Sequence, residues 1–143
     1  MRTMRATVSA VAMVVLAGCG SDSTTAPTPT PIAANAAIVG TWTLTTVNGS
    51  SLPFLIQASD PMIEIVSDQF ILSADGTFTA LFSVRATNDG AVVMQSRPDA
   101  GRYSLNGTVA TFTFNDQSGG SGTWSGNTLT LGGGGATWVY IRN

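Results

Sequence analysis

Turn dipeptides recur from residue 48 onward and divide this sequence into short segments. They are Asn48-Gly49, Asp75-Gly76, Asp89-Gly90, Asn106-Gly107 and Gly126-Asn127. Gly, Asn and Asp accept the positive φ angles of tight hairpin turns, and the flanking runs are rich in residues that favour strands. So many hairpin signals leave little room for helices and predict an antiparallel all-β domain.

Side-chain alternation supports the same fold class. From Phe78 to Ala86 the even-numbered positions are apolar, whereas the odd-numbered positions are mostly polar, which indicates a strand with one buried side. Similar runs predict strands near 40–47, 52–57, 62–66, 68–73, 77–87, 91–96, 101–105, 108–114, 121–125, 128–131 and 136–142. We expect some of these to merge, giving eight to ten strands with little or no helix. Closure into an up-and-down barrel would remove the exposed edges, and a two-sheet sandwich is the alternative.

The start of the chain has the layout of a secretory signal peptide. Two arginines, Arg2 and Arg5, precede an apolar segment that is too short to cross a bilayer as a helix. The run Leu16-Ala17-Gly18-Cys19 that follows resembles a bacterial lipobox, whose cysteine carries fatty acyl chains such as palmitate. We therefore predict a signal peptide over residues 1–18, lipidation of Cys19 with a Thr/Pro-rich linker over 19–37, and a barrel domain over 38–143. A cleaved signal peptide with an incidental cysteine is the alternative.

The predicted anchor places the domain on a membrane. Gly20 and Ser21 follow the cysteine, whereas an aspartate directly after it would be the usual signal for retention in the inner membrane. We expect the outer membrane if the organism has two membranes, and the cell-surface membrane otherwise.

Composition excludes several classes of function. Without residues 1–18 the chain has four arginines, no lysine and eight acidic residues, a net charge of −4, which argues against a nucleic-acid partner. It has no histidine, and its one cysteine is the predicted lipidation site. Histidine-based triads, histidine-ligated zinc and thiolate sites are therefore excluded, and the acidic residues lack an EF-hand spacing. We predict no enzyme activity, no metal and no cofactor.

The order of motifs resembles that of the small bacterial lipocalin-like lipoproteins. Gly40-x-Trp42 opens the first predicted strand, and it is followed by Asn48-Gly49, Leu52-Pro53, Phe70-x-Leu72-x-x-Asp75-Gly76-Thr77-Phe78, Gly101-x-Tyr103-x-x-x-Gly107, Gly126-x-x-Leu129-Thr130-Leu131 and Trp138-Val139-Tyr140-Ile141-Arg142. The resemblance implies a lipocalin-like barrel in which Trp42 closes one end and Arg142 covers its indole. The alternative is an ordinary core tryptophan and a solvated terminal arginine.

A barrel of this size is either filled by its own side chains or holds one small ligand. Possible cavity-lining residues are Leu44, Phe54, Phe70, Phe78, Phe82, Tyr103, Phe112 and Phe114, with Ile56 and Met94 also expected to face inward. Residues 58–62 and 97–100 are candidates for the barrel mouth, and Tyr103, Arg102 and Arg85 are candidates for polar contacts at its rim.

We expect an envelope lipoprotein that binds or shields a hydrophobic small molecule. The alternative is a filled barrel that interacts with an envelope protein, as a protease inhibitor or assembly accessory.

Overall fold

The computed structural model describes residues 35–143. The predicted signal peptide, Cys19 and most of the predicted linker lie outside the described residues. Within them the chain forms one 3₁₀ turn, Asn35–Ala37, and ten strands. The strands are β1 Gly40–Val47, β2 Ser50–Ser51, β3 Phe54–Gln57, β4 Met62–Leu72, β5 Thr77–Asn88, β6 Ala91–Asn106, β7 Val109–Phe114, β8 Gly119–Ser125, β9 Thr128–Gly133 and β10 Ala136–Arg142.

Eight of these strands close into an antiparallel barrel. Strands β4 to β10 pair in sequence order, β10 pairs with β1, and β1 pairs with β4 to complete the circle. The short strands β2 and β3 lie in the connection between β1 and β4 and add to the edges of those two strands. The predicted all-β up-and-down barrel is therefore confirmed, and the sandwich is excluded.

Two pairs of predicted strands are continuous in the structure. The runs 62–66 and 68–73 form the single strand β4, in which the pairing with β5 shifts between Ile65 and Ser67. The runs 91–96 and 101–105 both belong to β6, a strand of 16 residues. Polar or proline residues inside these strands therefore mark a bulge or an exposed stretch, not a turn.

The hairpin turns form where the dipeptides predict them. Asn48 and Gly49 have φ angles of 52° and 78°, and Asp89 and Gly90 have φ angles of 49° and 81°. Two-residue turns with positive φ at both positions match the twist of the paired strands, which explains why these residue types occur there.

The two ends of the barrel differ. β1 and β4 pair only over Gly40–Thr43 and Gln69–Leu72, and beyond this stretch β1 pairs with β2 while β4 pairs with β3. We call the end near Trp42 the closed end and the opposite end, where β1 and β4 diverge, the open end. At the open end β4, β5 and β6 extend past the other strands, because β6 pairs with β7 only from Gly101 onward.

Two predictions about inward-facing side chains are wrong, and the pairing of the strands explains both. The sequence predicts that Ile56 on β3 and Met94 on β6 face inward, but they are 54% and 57% exposed. Ile56 lies at an irregularity in the pairing of β3 with β4, between Leu55 and Gln57. Met94 is paired with Arg85, which is on the outer face of β5, so its side chain faces outward as well.

The core fills the closed half of the barrel and also includes Val47 and Ile65, which lie toward the open end where β1 and β4 diverge. Its fully buried side chains include Ile38, Trp42, Leu72, Phe78 and Leu129. Close approach of β6 and β7 is possible because residue 101 is glycine: a Cβ there would overlap the Thr113 carbonyl oxygen and lie 2.9 Å from Phe114 Cα. No helix in residues 35–143 is long and apolar enough to span a membrane.

Candidate ligand-binding cavity

The closed end is sealed by Trp42 and Arg142. These residues are directly paired across β1 and β10, and Trp42 is completely buried. Its indole Nε1 donates a hydrogen bond to the Ile38 carbonyl oxygen at 2.8 Å. The guanidinium carbon of Arg142 lies 5.4 Å from the centroid of the Trp42 ring, within the range of a cation–π interaction.

Arg142 also joins chain segments that are distant in sequence. Its Nη1 donates to the Ala37 carbonyl oxygen at 2.7 Å, and its Nε and Nη2 donate to Asn127 Oδ1 at 3.2 and 2.8 Å. A Cβ at Gly40, where φ is +139°, would lie 3.3 Å from Arg142 Cδ. The glycine of Gly40-x-Trp42 therefore gives the backbone its conformation and leaves room for the arginine.

The open end contains a cavity of about 360 Å³. Its inner part is aromatic: the Phe70 ring centroid lies 5.6 Å from that of Phe112 and 5.3 Å from that of Tyr140. Phe82 and Trp138 line the wall, with their ring centroids 6.5 Å apart. Glycines at 119, 120, 132 and 133 line the opposite side, so the space there is not occupied by side chains.

The structure separates the eight predicted lining residues into two groups. Phe70, Phe82, Phe112 and Phe114 line the cavity. The other four pack elsewhere: Leu44, Phe78 and Tyr103 are buried in the core, and the partly buried Phe54 packs against it. Periodicity identifies inward-facing residues, but it does not distinguish the filled half of a barrel from the open half.

Asp68 and Tyr140 are cavity residues that the sequence patterns did not reveal. Asp68 is only 7% exposed, and the Tyr140 hydroxyl donates a hydrogen bond to its Oδ2 at 2.7 Å. Burial raises the pKa of Asp68 to about 6, although hydrogen bonds from the Tyr140 hydroxyl and the Gln69 backbone N–H act in the opposite direction. Asp68 alternates with Phe70 and Leu72 on β4, and an acid at an inward position is the sequence signal that identifies it.

The rim of the cavity carries charged side chains. Arg97 Nη2 lies 3.3 Å from Asp99 Oδ2 and 3.8 Å from Asp116 Oδ2, and all three residues line the opening. The Ser118 hydroxyl and backbone N–H donate to the Asp116 carboxylate and lower its pKa. The predicted mouth segment 97–100 thus contributes two rim residues.

Other predicted rim positions lie elsewhere. Arg85 forms an ion pair with its cross-strand neighbour Glu64 at 2.7 Å, and the Tyr103 hydroxyl donates to the Ser73 carbonyl oxygen at 2.6 Å. Neither residue lines the cavity, and neither do Arg102 or residues 58–62. Cross-strand pairing explains Arg85, because Glu64 is directly opposite it on β4. In the part of the chain from 35 to 143, no group of three acidic, His or Cys side chains is placed to hold a metal ion.

Comparison with known proteins identifies a family. A family model described as a lipocalin-like domain matches residues 38–131. That range begins at the buried Ile38 and ends at Leu131, in the cavity-lining part of β9. Searches of curated proteins and of solved structures give no match.

Proposed function

Because the chain belongs to the lipocalin-like domain family, we propose that its barrel binds a small apolar molecule in the cavity at the open end. The observation that carries this proposal is the cavity itself, which has an aromatic inner surface and a volume of about 360 Å³. Small-molecule sites are typically about 300–1,000 Å³ and mostly apolar with a few polar groups. The volume fits a compact ligand, and the opening allows a longer one to extend into solvent.

The competing function, an envelope interaction module with a filled barrel, is less well supported. It requires the inward side chains to occupy the whole interior. Here the closed half is filled, but the glycines at 120 and 133 leave the open half without side chains on one side. The unfilled space favours binding of a small molecule.

We further propose that the bound molecule is carried or shielded without being chemically changed. Members of the family are typically non-catalytic binding proteins. The chain beyond residue 19 has no histidine and no cysteine to act as a general base or thiol nucleophile.

Filling the cavity should abolish binding without disturbing the fold. Gly120 pairs with Phe112 and shares its inward face, and a Cβ at position 120 would meet only the Gly132 carbonyl oxygen at an ordinary 3.6 Å. We expect Gly120→Leu to weaken binding of the neutral dye N-phenyl-1-naphthylamine by about tenfold or more, because the leucine side chain occupies ligand space. Fluorescence titration of the purified domain measures the affinity.

The neighbouring residue provides a matched control. Ser121 lies on the same strand but on the outer face, so Ser121→Leu adds a similar side chain outside the cavity. Its dye affinity should equal that of the wild type, and thermal unfolding should show both variants folded. Equal dye binding by the wild type and Gly120→Leu would contradict the proposed site.

We also propose that lipid on Cys19 holds the barrel at the cell envelope. The lipobox-like run Leu16-Ala17-Gly18-Cys19 supports this location. In cells fed labelled palmitate, the full chain should carry the label and sediment with membranes, whereas Cys19→Ser should be unlabelled. Retained label on Cys19→Ser, or an unlabelled wild type, would argue against the anchor.

A further inference from the structure

Asp68 is a buried carboxylate that no cation in the described residues neutralises. The ion pairs formed within residues 35–143 join Arg85 to Glu64 and Arg97 to the two rim acids. The hydrogen-bond donors to the Asp68 carboxylate are the Tyr140 hydroxyl and the Gln69 backbone N–H. An ionised carboxylate accepts about four hydrogen bonds, so Asp68 retains unused acceptor capacity.

The surroundings of Asp68 favour a positive charge. Aromatic residues, among them Phe70, Phe82 and Trp138, line the same cavity, and the faces of aromatic rings attract cations. The cavity carries three carboxylates, those of Asp68 and the two rim acids, against the single guanidinium of Arg97. An anionic ligand would therefore meet net repulsion, and a neutral ligand would leave the buried carboxylate without a counter-charge.

We propose that the ligand is a compact organic amine whose ammonium group donates a charged hydrogen bond to Asp68. Its apolar part lies against the aromatic inner surface. The proposal rests on the proposed function, since it assigns a chemical class to the molecule bound in the same cavity. The volume of about 360 Å³ corresponds to about a dozen water-sized volumes, which matches an aryl-alkyl amine.

The test uses three probes that differ in the charge of one group. Tryptamine, tryptophol and indole-3-acetate share an indole ring and carry an ammonium, a hydroxyl and a carboxylate. Calorimetric titration of the purified protein should give an affinity for tryptamine that is about tenfold or more above that for tryptophol, with indole-3-acetate weakest.

Two substitutions test whether the preference for tryptamine over tryptophol depends on Asp68. Asp68→Asn keeps the shape and an oxygen acceptor for the Tyr140 hydroxyl but removes the charge, so we expect the ratio of tryptamine to tryptophol affinity to fall below about threefold. Asp89→Asn removes one negative charge at the tip of the β5–β6 hairpin, where a φ of 49° suits Asn as well as Asp. Its affinity ratio should equal that of the wild type.

The outcomes separate this inference from the proposed function. Equal affinities for tryptamine and tryptophol, or a preference that persists in Asp68→Asn, would overturn the amine assignment while leaving a ligand-binding barrel. If none of the three probes binds and Gly120→Leu also leaves dye binding unchanged, both proposals are wrong. A preference lost in Asp68→Asn and retained in Asp89→Asn supports the amine.

Discussion

Replacing Trp42 by alanine should lower the free energy of unfolding by about 3–5 kcal/mol, the usual cost of truncating a buried aromatic residue. Trp42 is completely buried and donates a hydrogen bond to the Ile38 carbonyl oxygen. Its removal also takes away the ring beneath the Arg142 guanidinium. Urea unfolding followed by far-ultraviolet circular dichroism measures the change without relying on tryptophan fluorescence.

Arg142 supplies the control for this prediction. Arg142→Gln in the wild-type background should cost less than Trp42→Ala, because the cation–π contact contributes about 0.5–2 kcal/mol. In the Trp42→Ala background the same substitution should cost less still, since the ring is gone and the two residues are in contact. A loss below about 1 kcal/mol for Trp42→Ala would show that the surrounding core collapses into the space, contrary to a rigid closed end.

Local sequence signals predicted most of the fold, because hairpin turns and strand alternation depend on neighbouring residues. Strand β1 has its predicted bounds of 40–47, and the Asn48-Gly49 turn adopts the expected positive φ angles. The errors in predicted strand bounds occur where pairing with another strand determines whether the chain stays extended. The break predicted near residue 67 is a bulge inside β4, which the pairing with β5 holds in one continuous strand.

The cavity could not be located from sequence, because it depends on how the strands close. Phe78 and Phe82 lie on the same face of β5, but Phe78 is in the filled half and Phe82 lines the cavity. Phe82 shares the cavity with the glycines of β8 and β9, which leave space at the open end, and no pattern local to β5 reports which strands face it across the barrel. Likewise, the contact between Asp68 and Tyr140 joins residues 72 positions apart.

The ligand-free domain should become less stable as the pH rises through the range in which Asp68 ionises. Its pKa is about 6 in the folded state against 3.8 for an unperturbed aspartate, because burial disfavours the charged carboxylate. Below about pH 4 both states hold the proton and there is no penalty; above about pH 6 the folded state must ionise a buried group. The shift corresponds to a loss of about 3 kcal/mol at most. Asp68→Asn cannot ionise, so its stability relative to the wild type should rise by up to this amount between about pH 4 and pH 7.

Comparing Asp68→Asn with the wild type at every pH isolates the contribution of the Asp68 carboxylate to stability. The other polar groups that face the cavity are the same in both proteins: Tyr140, Arg97 and the rim acids. Asp75→Asn provides a control of opposite sign: the Thr77 hydroxyl donates to Asp75 and lowers its pKa, so that carboxylate stabilises the fold above about pH 4 and loses this effect as the pH falls. The difference in urea midpoint between Asp68→Asn and the wild type should therefore change between about pH 4 and pH 7. For Asp75→Asn the corresponding difference should change below about pH 4. A constant difference between Asp68→Asn and the wild type from pH 4 to pH 7 would contradict a pKa of Asp68 that burial raises in the folded state.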